Sequence, residues 1–369
     1  MMLTNKRKRK RTITVVVVIV IFFVAGTIAI GITSHAKTML KRIPDLTFSD
    51  ALHYTLKNSE DAVITVGIVR EGHASYSVYG NNGQVLLPEL HTYEIGSITK
   101  TFTAAMVLRA VLDGGIKTSD TIDRFIPLPG DSWYPTIADL LTHTSGYKPY
   151  YFEWPMVLNF FSRSNDFYGI TAGMVTRKLS SLSVLNKDHP YVYSNFGYAV
   201  LGCVLEEVYN QNYAFLMDEY IHEDLHLENT KISDRKGSLG NYWDWNRDDA
   251  YLAAGGIVSN IEDMLVYAQR QLGKESLFKE CHASLEKIDA TKANLEVLNI
   301  RMDSIGMAWI IDEENSIIWH NGATKNYNSY LGFDPDSETA VVILSNLSPN
   351  YRIPSTVLGV KLMDEIRGR

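Results

Sequence analysis

The decisive stretch of this chain covers residues 93–112 and reads YEIGSITKTFTAAMVLRAVL. After residue 100, Arg109 is its only charged residue, and apolar side chains fall on every face of a helix with 3.6 residues per turn. A helix that is apolar all round is normally buried, and the pair Gly114-Gly115 is typical of the end of such a helix. The stretch therefore predicts a central helix inside the protein.

Ser97 and Lys100 lie where this helix begins. On a helix, residues three apart share a face, so the hydroxyl and the amine are neighbours. Burial lowers the pKa of a lysine and makes its neutral amine available as a base, while free N–H groups at a helix start favour a developing oxyanion. The pattern predicts Ser97 as a nucleophile and Lys100 as its base.

The Ser-x-x-Lys spacing alone does not identify a site, because it occurs six times, starting at Ser34, Ser97, Ser145, Ser233, Ser276 and Ser284. Short motifs of this kind are often accidental. Context selects Ser97, since this copy alone joins a strand-rich segment to a helix that is apolar all round.

Strand patterns occur near both ends of the chain. β-Branched residues at 62–70 and the segment 74–79 flank the turn Glu71-Gly72, and four later segments read as strands: 306–311, 316–320, 329–333 and 339–345. Helical spacing dominates in between, over 156–161, 172–179, 198–209 and 260–272, and a last helix follows Pro354. We expect an α+β fold, with one antiparallel sheet built from both chain ends, flanking helices and an inserted, mostly helical lobe at about 116–250.

The first 36 residues form a separate region. Residues 6–11 are all basic, and residues 13–32 carry no charge, a length that just spans a bilayer. The basic cluster places the N-terminus in the cytoplasm and the rest outside. Small residues at Ser34 and Ala36 also fit cleavage after Ala36. The sequence thus predicts 1–36 as a membrane anchor or signal peptide, 37–61 as a stalk and first helix, and 62–369 as a catalytic domain on the cell membrane or secreted.

The net charge and the positions of the cysteines limit the kinds of ligand that this protein is expected to bind. Removing the six basic residues before residue 37 leaves 29 Lys and Arg against 42 Asp and Glu, a net charge of −13, which disfavours nucleic-acid binding. No metal-ligand spacing of Cys or His is found. Cys203 lies in an apolar helical pattern typical of a core residue, and whether it pairs with Cys281 is left open.

Two further motifs occur later in the chain, Tyr193-Ser194-Asn195 and His320-Asn321-Gly322. Together with Ser97-x-x-Lys100, and in this order, they resemble the serine β-lactamase and penicillin-binding protein superfamily. The class C branch, which includes D,D-carboxypeptidases, D-aminopeptidases and esterases, fits best. The resemblance extends from about residue 62 to 345 through the blocks at 93–100, 139–146, 193–198, 254–259 and 332–335.

The resemblance implies a β-lactamase/transpeptidase-like fold and a role for each motif residue. Ser97 would form an acyl-enzyme, Lys100 would take its proton alone or with Tyr193, and Tyr193 would pass a proton to the leaving nitrogen. The substrate would be held by Asn195, by His320 and by the backbone around Gly322, with the N–H groups of Ser97 and Ala323 as the oxyanion hole. No metal or organic cofactor is required.

The motif at residues 320–322 differs from that of many relatives at the positions that would bind a substrate carboxylate. His320 stands in the place of a lysine, and Asn321 and Ala323 occupy the alternate positions. Lys325, shortly after, is an alternative source of the missing positive charge. We therefore expect an extracytoplasmic acyl-serine hydrolase that acts on peptidoglycan peptides or other D-amino-acid amides. The alternatives are a β-lactamase or esterase with the same machinery, and a non-catalytic surface binding protein.

One histidine and two aromatic segments could serve the structure of the protein instead of its chemistry. His143 is expected to be structural, buried and hydrogen-bonded. Residues 243–245 and 147–152 line a substrate cleft or fill the core of the helical lobe.

Overall fold

The computed structural model describes residues 42–130, 132–162, 165–273 and 277–368. The predicted anchor or signal at 1–36 and the start of the stalk lie outside these residues. Among the helices that are described, none combines the length and the apolar character that a membrane span requires. The chain divides into two compact units, residues 1–47 and Phe48–Arg369, and the described part of the first contains the single turn Ile43–Asp45.

The strands of the second unit occur near both of its ends. They are β1 (Ile64–Arg70), β2 (His73–Tyr79), β3 (Tyr93–Glu94), β4 (Lys231–Ile232), β5 (Ile257–Ser259), β6 (Glu286–Lys287), β7 (Ser304–Ile305), β8 (Ile310–Asp312), β9 (Ile317–Ala323), β10 (Asn328–Asp334) and β11 (Thr339–Ser345).

One large antiparallel sheet has the order β2-β1-β11-β10-β9-β8-β7-β6. Its centre joins the two ends of the unit, because β1 pairs with β11 and Ile64 lies opposite Ser345. Strands β10 and β11 are buried along their whole length, as their apolar sequences require when both faces are covered. The antiparallel sheet from both chain ends is thus confirmed. A small second sheet has the order β3-β5-β4.

The helices of the second unit fill the segments between the strands. They are α1 (Phe48–Leu56), α2 (Thr99–Leu112), α3 (Ile137–Leu141), α4 (Trp154–Ser162), α5 (Ala172–Ser181), α6 (Asn195–Tyr209), α7 (Tyr213–Glu219), α8 (Leu252–Gly255), α9 (Ile261–Leu272), α10 (Lys279–His282), α11 (Ala293–Glu296) and α12 (Ser355–Arg367).

Helix α2 is the central helix that the sequence predicts. It packs against α6 and α8, and nearly all of its residues are buried. The chain leaves the helix through Gly114, whose φ of 76° suits glycine. Helices α9 and α12 pack on the large sheet, and α3 to α7 come from residues 116–250. The structure therefore has the predicted arrangement of a sheet with flanking helices and a helical lobe.

The predicted strand at 306–311 is wrong in its bounds. Residues 306–309 form a tight turn between β7 and β8, closed by the Gly306 N–H donating to the Trp309 carbonyl at 2.9 Å. Ala308 has a φ of 71°, which extended strands do not adopt. The N–H of Met307 donates to the carbonyl of Cys281, so a contact far away in sequence overrides the local apolar pattern.

Both cysteines are free thiols in the interior. Cys203 lies in the buried part of α6, as its apolar pattern predicts, and Cys281 lies in α10. The two cysteines are therefore separate core residues that do not form a disulfide with each other.

Gly359 allows α12 to approach the sheet closely. A Cβ atom on Gly359 would lie 2.0 Å from Cδ1 of the buried Tyr330. We expect Gly359→Ala to lower the free energy of unfolding by about 1–3 kcal/mol, because the Tyr330 ring has no free space to move into.

Chemical denaturation of the purified protein checks this value. The matched control is Gly173→Ala on α5, where the nearest atom is 4.0 Å away and a gain of up to about 1 kcal/mol is expected from helix propensity. Equal stability of Gly359→Ala and the unmodified protein would refute the close approach.

Candidate active site

Ser97 lies on the short turn Gly96–Ile98, between β3 and α2. This turn interlocks with the end of β9. Gly96 has a φ of 51°, and a Cβ atom there would lie 2.5 Å from the backbone nitrogen of Ala323. A Cβ atom on Gly322 would lie only 1.8 Å from the Ile95 carbonyl oxygen. Two glycines thus bring the backbone of Ala323 beside the residue that precedes Ser97.

Lys100 is fully buried one turn into the helix, and three polar atoms surround its amine. Nζ lies 3.1 Å from Ser97 Oγ, 2.8 Å from Asn195 Oδ1 and 2.7 Å from the Ala254 carbonyl oxygen. Burial without a carboxylate partner lowers the pKa of Lys100 well below its usual value.

These contacts match the bonding capacity of a neutral amine. Asn195 and Ala254 offer oxygen acceptors for the two N–H groups. The remaining lone pair can then accept the hydrogen of the Ser97 hydroxyl. The amine is thereby oriented as a base toward Ser97.

Asn195 and Tyr193 owe their positions to the start of α6. The Ser194 hydroxyl accepts the N–H of Gly197 at 2.9 Å and so caps this helix, with Asn195 as its first residue. Lys100 Nζ lies 4.8 Å from the centre of the Tyr193 ring. Burial raises the pKa of Tyr193, and a side-chain hydrogen bond with Ser97 opposes this rise in part. The phenol therefore stays protonated beside the serine.

His320 lies on β9 with its ring 6.4 Å from the Tyr193 ring, centre to centre. Its Nδ1–H donates to the Asn321 carbonyl at 2.6 Å, which leaves Nε2 as an acceptor. Burial lowers the pKa of His320 to about 3. The imidazole is therefore neutral at physiological pH.

Strand alternation separates the residues of this motif. Asn321 is exposed and donates through Nδ2 to Thr356 Oγ1 at 2.9 Å, so its side chain is tied to α12. His320 and Gly322 lie on the opposite face of β9 from Asn321, and both are buried. The structure therefore brings Ser97, Lys100, Tyr193, Asn195, His320, Gly322 and Ala323 together, and directs Asn321 elsewhere.

His143 supports the Tyr193 motif from behind. Its Nδ1 accepts the backbone N–H of Ser194 at 3.1 Å, and its ring lies 4.5 Å from the Tyr193 ring. Burial lowers the pKa of His143 well below its usual value. The predicted structural role of this histidine fits these contacts.

A small cavity of about 40 Å³ opens beside the nucleophile. Its lining includes Ser97, Asn195, Ala323 and the two tryptophans Trp243 and Trp245. These tryptophans thus line the cleft, whereas Tyr147 is buried in the core of the lobe. The described residues contain no cluster of His, Cys, Asp and Glu side chains that could hold a metal ion.

Glu94 is a buried carboxyl group to which the sequence reasoning gave no role. Its Oε1 accepts the N–H of Trp243 at 2.5 Å, and its Oε2 accepts the hydroxyl of Thr324 at 2.6 Å. Burial raises the pKa of Glu94 to about 7, although both hydrogen bonds oppose the rise. A charged residue three positions before a nucleophile, in an otherwise buried segment, was the available signal. Glu94 therefore joins the loop that contains Trp243 to Thr324, the residue that follows β9.

This carboxyl group predicts a specific pH dependence of stability. The folded protein keeps the Glu94 proton up to about pH 7, whereas the unfolded chain releases it near the ordinary value of 4.5. The contribution of Glu94 to stability is therefore lost as pH rises from about 4.5 to about 7, by on the order of 3 kcal/mol at most. Glu94→Gln keeps an acceptor for Trp243 and removes the titration, so we expect a flatter curve.

Urea unfolding at about pH 5 and about pH 8 measures this difference. The control is Glu228→Gln at an exposed position, which should behave as the unmodified protein does. An unchanged pH dependence in Glu94→Gln would contradict the assignment.

The comparisons with known proteins agree with this geometry. The sequence model of the family described as Beta-lactamase matches residues 62–355. Protein Flp of Staphylococcus aureus strain MRSA252 is 24% identical over 294 residues, which cover 72% of this chain and 54% of Flp. The chain thus spans about half the length of such relatives. A Pseudomonas fluorescens protein named Beta-lactamase is 21% identical over 334 residues, covering 79% of this chain and 90% of that protein.

A solved structure shares the fold. The β-lactamase/D-alanine carboxypeptidase of Yersinia pestis, crystallised with citrate, superposes with a TM-score of 0.67 at 18% identity, over 90% of this chain and 99% of that one. The family match covers most of the chain and includes every residue placed in the site above. The chain therefore belongs to the Beta-lactamase family, within the serine β-lactamase and penicillin-binding protein superfamily.

Proposed function

We propose that this protein is an acyl-serine hydrolase of the penicillin-binding type, acting outside the cytoplasm on peptidoglycan peptides or other D-amino-acid amides. One observation carries the proposal. A fully buried amine, Lys100 Nζ, lies 3.1 Å from the Ser97 hydroxyl and has two oxygen acceptors for its own hydrogens.

Acylation can be derived from these positions. Ser97 Oγ attacks the substrate carbonyl carbon while its proton passes to the neutral amine of Lys100, whose lowered pKa favours the unprotonated form that can act as a base. The negative charge that forms on the carbonyl oxygen is met by the N–H groups of Ser97 and Ala323, which the close contact of Gly96 with β9 brings together.

Tyr193 is suited to the opposite proton transfer. Its raised pKa keeps the phenol protonated, so it can donate to the leaving nitrogen when the tetrahedral intermediate collapses. The proton that Lys100 took from Ser97 then passes to the phenolate of Tyr193, which restores both groups before water attacks. Neutral His320 orients substrate beside it. In the second half of the reaction, water takes the place of the leaving group and the same groups remove its proton, which releases the acid and restores Ser97.

The charge at the end of β9 supports the choice of substrate. His320 is neutral, and Asn321 is held by Thr356, so neither provides a cation for a substrate carboxylate. This favours a D-amino-acid amide or an ester over a ligand that must be gripped by its carboxylate. A β-lactamase or esterase activity, which uses the same Ser97, Lys100 and Tyr193, is the second candidate.

The proposed location rests on the sequence before the described residues. Six consecutive basic residues precede 20 uncharged ones, a pattern that holds the N-terminus in the cytoplasm and exports the rest of the chain. Fractionation of cells that produce the full chain, with protease added from outside, tests this part of the proposal.

Ser97→Ala should abolish covalent labelling by a fluorescent penicillin or a fluorophosphonate, because the nucleophilic oxygen is gone. The matched control is Ser284→Ala, an exposed serine from another Ser-x-x-Lys copy, which should label normally. Thermal unfolding should show that both variants fold. Persistent labelling of folded Ser97→Ala would sink the assignment, and an unchanged biological role would favour a binding protein.

The burial of Lys100 predicts how the rate of acylation depends on pH. Because burial holds the pKa of Lys100 well below its ordinary value of 10.5, the acylation rate should reach its plateau well below pH 10.5. Lys100→Ala should lower the rate by about 10²–10⁴-fold, since the hydroxyl loses its base. Stopped-flow acylation measures both, with Lys287→Ala, on exposed β6, as the control. A rate that climbs steadily toward pH 10.5 would contradict the lowered pKa, and an unchanged rate in Lys100→Ala would show that another group takes the proton.

A further inference from the structure

An open groove adjoins the catalytic cavity on the side of helix α4. It has a volume of about 890 Å³, and its lining includes Phe160, Phe161, Trp243, Ala323 and Thr324. Trp243 and Ala323 also line the cavity beside Ser97. The groove and the cavity therefore share these two residues as a common wall.

Exposed aromatic rings stand in the wall of this groove beside polar residues that include Asp166 and Lys325. Phe160 and Phe161 are 73% and 77% exposed. Large apolar groups grouped on a surface mark binding sites, because leaving them in water is unfavourable. Asn159 fixes their helix, since its Nδ2 donates to the carbonyls of Asp166 and Tyr168 at 3.2 and 2.8 Å. The two rings are thus held at the groove by a buried anchor.

We propose that this groove is a subsite for a large apolar acyl group of the substrate, such as an aliphatic chain or an aromatic acyl substituent. The inference rests on the proposed function and adds a substrate class to it. An acyl group attached to Ser97 passes Ala323 and Trp243 and meets the rings of Phe160 and Phe161 beyond them.

Two other concave surfaces each lack one of these properties, the apolar wall or the position beside Ser97. The groove on the other side of Trp243 is lined mainly by polar residues, among them the ion-paired Arg235 and Asp244. An apolar groove at Leu112 and Leu277 lies at the far end of α2, roughly 18 Å along the helix from Lys100 at 1.5 Å per residue. It supplies a matched control.

The experiment compares p-nitrophenyl acetate with p-nitrophenyl octanoate in the first turnover. In each case the bond from the acyl carbon to Ser97 Oγ forms, p-nitrophenolate leaves, and the serine proton passes to Lys100. The variants are Phe160→Ala/Phe161→Ala and the control Leu112→Ala/Leu277→Ala, whose side chains are 56% and 68% exposed in the native protein.

We expect the unmodified protein to be acylated at least about tenfold more efficiently by octanoate than by acetate, because each buried methylene strengthens binding by about fourfold. The Phe160/Phe161 double variant should lose about tenfold with octanoate and less than about twofold with acetate. The control should change neither rate.

Other outcomes overturn the groove and leave the function in place. In the first, Ser97 is acylated but the ratio of the octanoate rate to the acetate rate is the same in the Phe160/Phe161 variant as in the unmodified protein. In the second, Ser97 is acylated but the variant loses the same factor in rate with both esters. If neither ester releases p-nitrophenol and no probe labels Ser97, the proposed function itself fails, and the subsite with it.

Discussion

The structure is organised around one buried amine. Lys100 Nζ connects three helices, because it contacts Ser97 before α2, Asn195 at the first residue of α6 and the Ala254 carbonyl in α8. A charged ammonium at this depth would lose its hydration without a carboxylate in return, so the interior favours the neutral form. Burial of the helix is thus also what lowers the pKa of its lysine.

Backbone contacts complete the site around this amine. The turn at Gly96 and the strand end at Gly322 approach more closely than any side chain allows, and Ser329 Oγ on β10 donates to the Ile95 carbonyl at 2.8 Å. Glu94 adds a bridge from the Trp243 loop to Thr324. The turn Gly96–Ile98, strand β9 and the loop that contains Trp243 are therefore held together. The groove at Phe160 and Phe161 lies at the edge of this assembly.

Sequence periodicity could predict the parts of the fold that depend on local pattern. The apolar helix after Ser97, the strands at 62–70 and 339–345, and the last helix all appear close to their predicted positions. It failed at residues 306–309, where bonds to distant carbonyls create a turn. Glu94 and the groove at Phe160 were missed for the same reason: a buried carboxyl group and an exposed ring acquire their meaning from neighbours far away in the chain.

The pairing of β1 with β11 has a consequence for how the chain reaches this state. Ile64 and Ser345 lie opposite each other across the sheet although almost the whole domain separates them in sequence. Closing so long a loop is entropically costly, and contacts of this kind slow folding. While the polypeptide is still being synthesised, the β1–β2 hairpin has one edge without its native neighbour, and such an edge invites pairing with other chains. The turn Gly96–Ile98 follows this hairpin in the chain but packs against the end of β9, so the candidate active site is assembled late, once the strands near the end of the chain have been made.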